Sequence, residues 1–327
     1  MKAIQFKAAG GPEVIELVER EKPKAKDHDV LIKIKAAGVN RPDVMQREGK
    51  YNPPEGVTDI PGLEVAGEIE TIGENVKNFK VGDKVCAILS GGGYAEFVSV
   101  HEAQVAVLPK GLSFAEGAGL METFLTVWSH LFKFAKFEAG KSILIHGGAS
   151  GIGTTATMLC KAVGATKIFT TVSSAADQKA SEALGADVAI NYKTHDFVAE
   201  VKKHSNDQGV DFILDIIGGS YVQRNYAAAA KLGTILQVGI MKGKVEELNL
   251  FPMLSKRLTH LGITLRSQSL EEKSALVKEL QTQVWPLIES GKLKPQLDKS
   301  FKLSETQQAH EYLDEGEHFG KIVLLND

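Results

Sequence analysis

The sequence predicts an α/β chain of two domains, one an irregular β-barrel and the other a doubly wound parallel sheet. Three observations point there. At 327 residues the chain exceeds what one ordinary hydrophobic core organises. Residues 1 to about 120 are short β-type runs divided by Gly, Pro and Asp. Beyond residue 142, short apolar strands alternate with amphipathic helices, the pattern of a parallel sheet covered on both faces.

The elements follow in order. "MKAIQFKAAGGPE" reads as a strand and turn, with neither the long apolar core nor the cleavage site of a signal peptide. "DVLIKIKAAGVN", "EVAGEIETIG", "DKVCAIL" and "AEFVSV" supply the barrel strands. "AEGAGLMETFLTVWSHLFKF" is apolar at helical spacing and reads as one long helical stretch. Then come a strand at 143–146, a helix at 152–163, the strand "KIFTTVS" and the helix "AADQKASEALGA". The strand "VAINY", the helix "DFVAEVKKHS", the strand "VDFILDIIG", the helix "YVQRNYAAAAKL" and the strand "GTILQVGI" continue the alternation. "THLGITLRSQ" adds a further strand. The tail holds two helices, "SALVKELQTQVWPLIESG" and "TQQAHEYLDEG", and a closing strand "KIVLLND". Pattern alone does not say whether that strand rejoins the N-terminal ones.

Composition excludes several function classes. The net charge of −3 offers no basic face, so neither nucleic acid nor an anionic membrane is an expected partner. No run is long and apolar enough to span a bilayer. The only cysteines, Cys86 and Cys160, exclude a disulfide framework and a four-cysteine zinc site. They suit a reducing compartment, and a cytoplasmic location is expected.

The chemistry-bearing motif is "ILIHGGASGIGTTA". Residues Gly151 to Ala156 match the G-x-G-x-x-A form of the dinucleotide fingerprint. In that pattern Gly151 permits the turn after the strand, Gly153 lets backbone approach a pyrophosphate, and Ala156 allows close helix–sheet packing. Free N–H groups at the helix start face the anion. The loop expected to hold the cofactor comprises Gly148, Ser150, Gly151, Ile152 and Gly153. A bare glycine turn would also fit the loop in isolation; the strand before it, the helix after it and the continuing alternation favour the nucleotide site.

Cofactor choice is read at the end of the next strand. An acid there would hold the ribose hydroxyls and repel a 2′-phosphate. The sequence has Ser173 and Ser174 instead, which favours NADPH. Asp177, close behind, argues for NADH, and Lys179 lies two residues further on. Gly239 sits at the end of a strand, where ligands of α/β sheets bind, or it is an ordinary turn glycine.

With "GVNRPDVMQREGKYNPP", "PGLEVAGEI", "LSGGGYAEFVSV", "LGADVAINY", "ILDIIGGSY" and "GKIVL" added to the glycine loop, the chain resembles the medium-chain dehydrogenase/reductase superfamily. Within it, the resemblance is to the zinc-free quinone oxidoreductases, in particular the p53-inducible type, and it runs from end to end. It implies a GroES-like catalytic domain from residues 1–122 and 264–327, and a Rossmann domain from 123–263. It implies an active site in the cleft between them. It also implies a homodimer or homotetramer, commonly built on the last strand of the nucleotide domain. Zinc-dependent relatives place a cysteine and a histidine where this chain has Asn40 and Leu63, and neither of these replaces a thiolate or imidazole ligand. No metal is therefore expected. The family implies substrate contact by Tyr51 and Asn40, a nicotinamide-side role for Thr126, and an adenosine-side role for Tyr192. It places a lysine where Asp177 stands, which leaves NADH open as a cofactor beside NADPH.

Each of these residues has a plainer alternative. Tyr51 could pack on the prolines beside it, Asn40 could satisfy loop backbone, and Asp43 could cap a helix. Thr126 could bond its own helix, Tyr192 could fill a core, and Gly91 to Gly93 could be a flexible turn. Without a metal, a quinone suits the site better than a plain ketone, because its reduced anion is delocalised. The expected function is an NADPH-dependent quinone oxidoreductase. Alternatives are reduction of an activated C=C bond in an enal, enone or enoyl thioester, and an NADPH-binding sensor or structural protein with little turnover.

Overall fold

The structure, a computed structural model, describes residues 1–326. The chain divides into two compact units, 1–125 with 266–327 and 126–265. In chain order, the first stretch contains β1 (Lys2–Phe6), β2 (Ile15–Glu19), β3 (Asp29–Val39), α1 (Arg41–Arg47), β4 (Glu64–Ile72) and β5 (Lys84–Ile88). It continues with β6 (Phe97–His101), β7 (Val105–Val107), α2 (Phe114–Gly117) and α3 (Met121–Val127). A π-helical stretch, Trp128–Phe134, follows α3 directly. The alternating region holds β8 (Ser142–His146), α4 (Gly151–Val163), β9 (Lys167–Val172), α5 (Ala175–Leu184), β10 (Val188–Asn191) and α6 (Phe197–His204). It closes with β11 (Val210–Asp215), α7 (Tyr221–Ala228), β12 (Ala229–Gln237), α8 (Phe251–Lys256) and β13 (Thr259–Gly262). The tail is α9 (Leu270–Gln283), α10 (Trp285–Glu289), β14 (Leu297–Lys302), α11 (Thr306–Glu315) and β15 (Lys321–Leu325).

In the first unit a mostly antiparallel sheet runs β14-β15-β3-β4-β5-β7, with β6 also paired to β3. The tail does rejoin the N-terminal strands: β15 pairs antiparallel with β3, Ile322 opposite Val39. Long β3 can serve three neighbours because its residues alternate toward an aliphatic core that includes Ile32, Ile34, Val65, Ile69 and Ile322. This is the GroES-like half of an α/β chain.

In the second unit all six strands are parallel, in the order β10-β9-β8-β11-β12-β13. Counted from β8, this is the 3-2-1-4-5-6 order of the Rossmann fold. The order reverses between β8 and β11, so the ligand crevice of such a sheet lies beyond the carboxyl ends of those strands. Central strands are buried on both faces; Ile143, Leu144, Ile145, Ile213 and Leu214 have no solvent exposure.

Three expected helices differ from the sequence reading. The long stretch after residue 114 is broken into α2, α3 and the π-helical stretch, with glycines 117 and 119 at the first break. The tail helix splits into α9 and α10 because Pro286 cannot donate to the preceding turn. The "AAAA" run leaves the helix at Ala228, since β12 is held by strands on both sides, and sheet pairing overrides alanine's helix preference. Among the described residues no helix is long and apolar enough to cross a membrane. Cys86 and Cys160 are both buried and unpaired, and burial raises both thiols well above their ordinary range.

Candidate active site

The glycine loop joins β8 to α4. The tight turn is made at Gly147, whose φ is +70°, and not at Gly151 as the motif suggested. Gly148 packs against β9; a methyl there would come 2.7 Å from Thr170 Cβ. At Gly153 a methyl would sit 2.1 Å from the carbonyl oxygen of Gly147. The close approach that Gly153 permits is therefore to the loop's own backbone, which holds the loop flat against the helix start. Ser150 is the N-cap of α4. Its hydroxyl accepts from Gly153 N–H at 3.0 Å and donates to Gly147 O at 2.7 Å. The N–H groups of Gly151 and Ile152 lie ahead of the helical ladder, where an anion is favoured. Ala156 is fully buried, as close helix–sheet contact requires. This cradle fits a dinucleotide pyrophosphate.

Beneath the loop runs a buried polar chain. Asn225 Nδ2 donates to Asp215 Oδ2 at 2.9 Å, which turns the amide oxygen toward His146 Nε2 at 2.8 Å. Nε2 must then carry the ring proton, and Nδ1 accepts from the Thr171 hydroxyl at 3.1 Å. Thr171 Oγ1 in turn accepts from Gly147 N–H at 3.2 Å. At the far end, Asp215 Oδ1 accepts from the N–H groups of Ile217 and Gly218 at 2.6 and 3.0 Å. Burial holds His146 below its ordinary histidine range, against the pull of Asp215, so the ring is neutral. The chain ties the glycine loop after β8 to the loop after β11, the two sides of the topological switch point.

At the end of β9 the expected residues gather on one turn. Ser174 caps α5 by accepting from Asp177 N–H at 3.0 Å. The Ser173 hydroxyl donates to Asp177 Oδ2 at 3.0 Å, so a carboxylate is built into this corner. Lys179 and Tyr192 are both exposed nearby in sequence, Lys179 on α5 and Tyr192 just past β10. Gly239 follows β12, its N–H bonding to Asp215 O at 3.3 Å; a methyl there would come 2.9 Å from Ile216 O. Thr126 is buried near the end of α3, where its carbonyl bonds His130 Nδ1 at 2.7 Å.

The first unit positions the other expected residues. Asn40 is the N-cap residue of α1 and is buried. Its Nδ2 donates to Glu64 Oε1 at 3.0 Å and, weakly, to Gly38 O at 3.4 Å. Its Oδ1 accepts from Lys321 Nζ at 2.6 Å. Lys321 also pairs with Glu64 at 2.7 Å. Both ends of the Asn40 amide are thus engaged inside the protein. Asp43 is more than a cap: it accepts from Asn40 N–H, Gly62 N–H and the Tyr94 hydroxyl. Burial raises its carboxyl to about 6, with those bonds opposing. Leu63 is a core residue. Lys321 already places one cation against Asn40, and a second would be repelled at that range. The residues at these positions do not fit a metal ion. Among the described residues no cluster of three or more His, Cys, Asp or Glu is placed to hold one.

Tyr51 lies beyond the other end of α1, on the loop that follows it. Its ring faces Arg266, whose guanidinium carbon is 4.9 Å from the ring centroid. Burial raises the phenol above its ordinary range, with the Arg266 charge opposing, so it stays protonated and able to donate. Arg266 Nη2 donates to Ser90 O at 2.7 Å, while its Nε and Nη1 are buried with no hydrogen-bond partner. Unmet buried donors of this kind cost about 1–3 kcal/mol each. Glu122, partly buried on α3, acts electrostatically on both Tyr51 and Arg266. Desolvation first, then Glu64, raises its carboxyl to about 8, so it is mostly protonated at neutral pH. Arg266, Glu122 and Lys321 were not singled out in the sequence. Only Glu122 carried a local signal, the single charge of the apolar segment METFLTV.

Two families match: alcohol dehydrogenase GroES-like domain over residues 26–110, and zinc-binding dehydrogenase over residues 151–282. The chain is 32% identical to human quinone oxidoreductase, covering 99% of this chain and 98% of that protein. It is 31% identical to the zebrafish (Danio rerio) synaptic vesicle membrane protein VAT-1 homolog, covering 100% of this chain and 70% of that protein. Among solved structures it is similar to an NAD-dependent alcohol dehydrogenase at TM-score 0.90 and 30% identity, each chain covered in full. An Escherichia coli quinone oxidoreductase complexed with NADPH matches at TM-score 0.90 and 28% identity, again in full. CurK enoyl reductase matches at TM-score 0.86 and 27% identity over 99% of this chain and 98% of that one. The barrel, the 3-2-1-4-5-6 sheet and these full-length likenesses lead to one conclusion: the chain belongs to the medium-chain dehydrogenase/reductase superfamily of oxidoreductases, with the quinone oxidoreductases among its homologues.

Proposed function

We propose that the protein is an NADPH-dependent quinone oxidoreductase that works without a metal. The observation that carries this reading is the donor set around Tyr51: a neutral phenol facing a guanidinium with two unmet N–H-bearing nitrogens. Such donors suit an acceptor whose negative charge is spread over a ring and its oxygens. When bound, the reduced nicotinamide supplies a hydride and is left in its oxidised form. A quinone that takes up the hydride becomes a hydroquinone monoanion, and one further proton completes the hydroquinone.

In this reading Gly148, Ser150, Gly151, Ile152 and Gly153 hold the pyrophosphate, and Thr126 and Gly239 border the nicotinamide side. Ser173, Ser174, Lys179 and Tyr192 bind the adenosine side with its 2′-phosphate. Asp177 lies among them and narrows the preference over NADH. Tyr51 donates to the acceptor. Asn40, with its amide engaged by Glu64 and Lys321, acts by fixing the start of α1. The protein is proposed to work in the cytosol as a homodimer or homotetramer.

A second reading, reduction of an activated C=C bond, is favoured by Glu122, a carboxylic acid protonated at neutral pH within electrostatic reach of Tyr51. It could return the proton that such a substrate needs at its α-carbon.

The test is stopped-flow oxidation of NADPH and NADH with an ortho-quinone, an enal and an enoyl thioester, for wild type and Tyr51→Phe. Fast NADPH oxidation by the quinone, slowed about ten- to a hundredfold in the variant, is expected. Turnover only with the enal or thioester would move the proposal to the second reading. A preference for NADH would mean that the Asp177 carboxylate governs cofactor choice. Binding without turnover on any acceptor would leave a nucleotide sensor.

A further inference from the structure

Arg266 stands out among the charged groups of the first unit. Nη2 is satisfied by Ser90 O at 2.7 Å, with Gln46 Oε1 a marginal 3.5 Å away, yet Nε and Nη1 have no partner within 3.5 Å, and the Tyr51 hydroxyl is a polar group that acts on the guanidinium. Native proteins rarely bury charged donors without a reason. The surroundings leave the charge uncancelled. Lys273 Nζ bonds the Arg266 carbonyl at 3.0 Å and adds a second cation. Glu122, the carboxyl that acts on Arg266, holds its proton at neutral pH because burial and Glu64 disfavour its charge. The Tyr51 ring covers one side of the guanidinium and brings a phenolic donor to the same place. A positive group with unmet donors, beside a neutral acid and a phenol, is arranged for an oxygen anion.

We propose that Arg266 is the anion-holding residue of the acceptor site, and that it selects acceptors whose reduced form is a stabilised oxyanion, quinones above all. The inference rests on the acceptor site being the one around Tyr51. It assigns a specificity role to Arg266 that is separate from binding the nucleotide. On hydride uptake the quinone gains two electrons and one hydrogen, and the charge that develops on its oxygen is met by Nε or Nη1. A solvent proton then completes the hydroquinone, and Arg266 is returned unchanged.

The test uses 4-nitrocatechol, a coloured ortho-hydroquinone analogue whose phenolate absorbs apart from its neutral form. The protein, saturated with NADP⁺, is titrated with it as wild type, Arg266→Lys and Arg266→Gln. NADP⁺ affinity is measured in parallel by quenching of protein fluorescence. Wild type is expected to bind the phenolate and to raise the ionised fraction of the bound dye. Arg266→Gln should lose tenfold or more of that affinity and the spectral shift, with NADP⁺ affinity unchanged; Arg266→Lys should keep part of both. The proposal is overturned if wild type does not bind the phenolate, if Arg266→Gln binds it equally well, or if NADP⁺ affinity falls in step. Arg266-dependent phenolate binding without quinone turnover would sink the quinone reading and leave the anion site standing. Quinone turnover with no Arg266 dependence would do the reverse.

Discussion

Three titratable residues of the first unit, two buried and one partly buried, pull on stability in different directions, and their windows can be separated. Asp43 has its pKa raised from an ordinary 3.8 to about 6, and Glu122 from 4.5 to about 8. For both, the folded state binds more protons than the unfolded one within its window, so stability falls as pH rises through it. His310 is the reverse. Burial, then Arg47, lowers it from 6.5 to about 3, so its contribution is lost as pH falls below 6.5. Between about 4 and 6 these effects oppose one another. Between 6.5 and 8 Glu122 is the one still titrating, facing Glu64, Lys321, Asp43 and Arg266. The melting temperature of wild type is expected to fall over that interval, while Glu122→Gln stays level and exceeds wild type at pH 9. A tenfold change in proton affinity is worth about 1.4 kcal/mol. Solvent contact at this partly exposed residue reduces the whole effect to about 1–2 kcal/mol. Thermal melts of both proteins at half-unit steps decide it. An equal slope in the variant would mean that Glu122 is already ionised in the folded protein.

At the scale of elements, the loops after β8 and β11 are held in register by the His146–Asn225–Asp215 chain, and Thr171 on β9 is its link to the glycine loop. Thr171→Val keeps the shape and removes both functions of the hydroxyl, leaving His146 Nδ1 and Gly147 N–H unpaired. The expected loss is about 1–3 kcal/mol of stability, with NADPH affinity falling about tenfold, the equivalent of about 1.4 kcal/mol. Thr171→Ser should restore both. Isothermal titration with NADPH on the three proteins checks this, and unchanged affinity in Thr171→Val would reduce the chain to core packing. The two ends of this device differed in how openly the sequence showed them. The glycine loop was legible because its pattern is local: strand, glycines, cap and helix lie within 22 residues. The His146 chain was not, since Asn225 comes 79 residues after its partner and looks like any helical asparagine. Asn40 was legible as a position, but the partners of its amide were not. Lys321, which occupies its oxygen, is 281 residues away and joins it only because β15 returns to β3. Arg266 was hidden for the same reason: it reads as part of a strand, and Ser90 lies 176 residues earlier.

At the scale of the whole molecule, the parallel sheet leaves an edge open, and association there is a prediction. β13 pairs with β12 on one side and is the last strand of its sheet, so its outer backbone groups have no strand partner within the chain. Open edges of this kind are usually blunted by charge, proline or a covering element. Here the stretch before it carries Pro252, Lys256 and Arg257, yet it also leaves large apolar side chains exposed. Helix α8 buries none of its residues, and Phe251 and Leu254 are 69% and 67% exposed. Ile240, Met241 and Leu250 are exposed as well. An uncovered apolar set on the segment that leads into a free strand edge is costly for a monomer and is the usual mark of an interface. Wild type is therefore expected to sediment as a dimer or tetramer at micromolar concentration. Phe251→Asp combined with Leu254→Asp should shift it to monomer. Because both side chains are solvent-exposed in the chain by itself, the substitutions should leave the far-ultraviolet circular dichroism spectrum unchanged, and NADPH binding should persist. Sedimentation velocity on the two proteins separates the outcomes. A wild type that is monomeric at all concentrations, or a variant that still associates, would show that the apolar face of α8 is not where the chains meet.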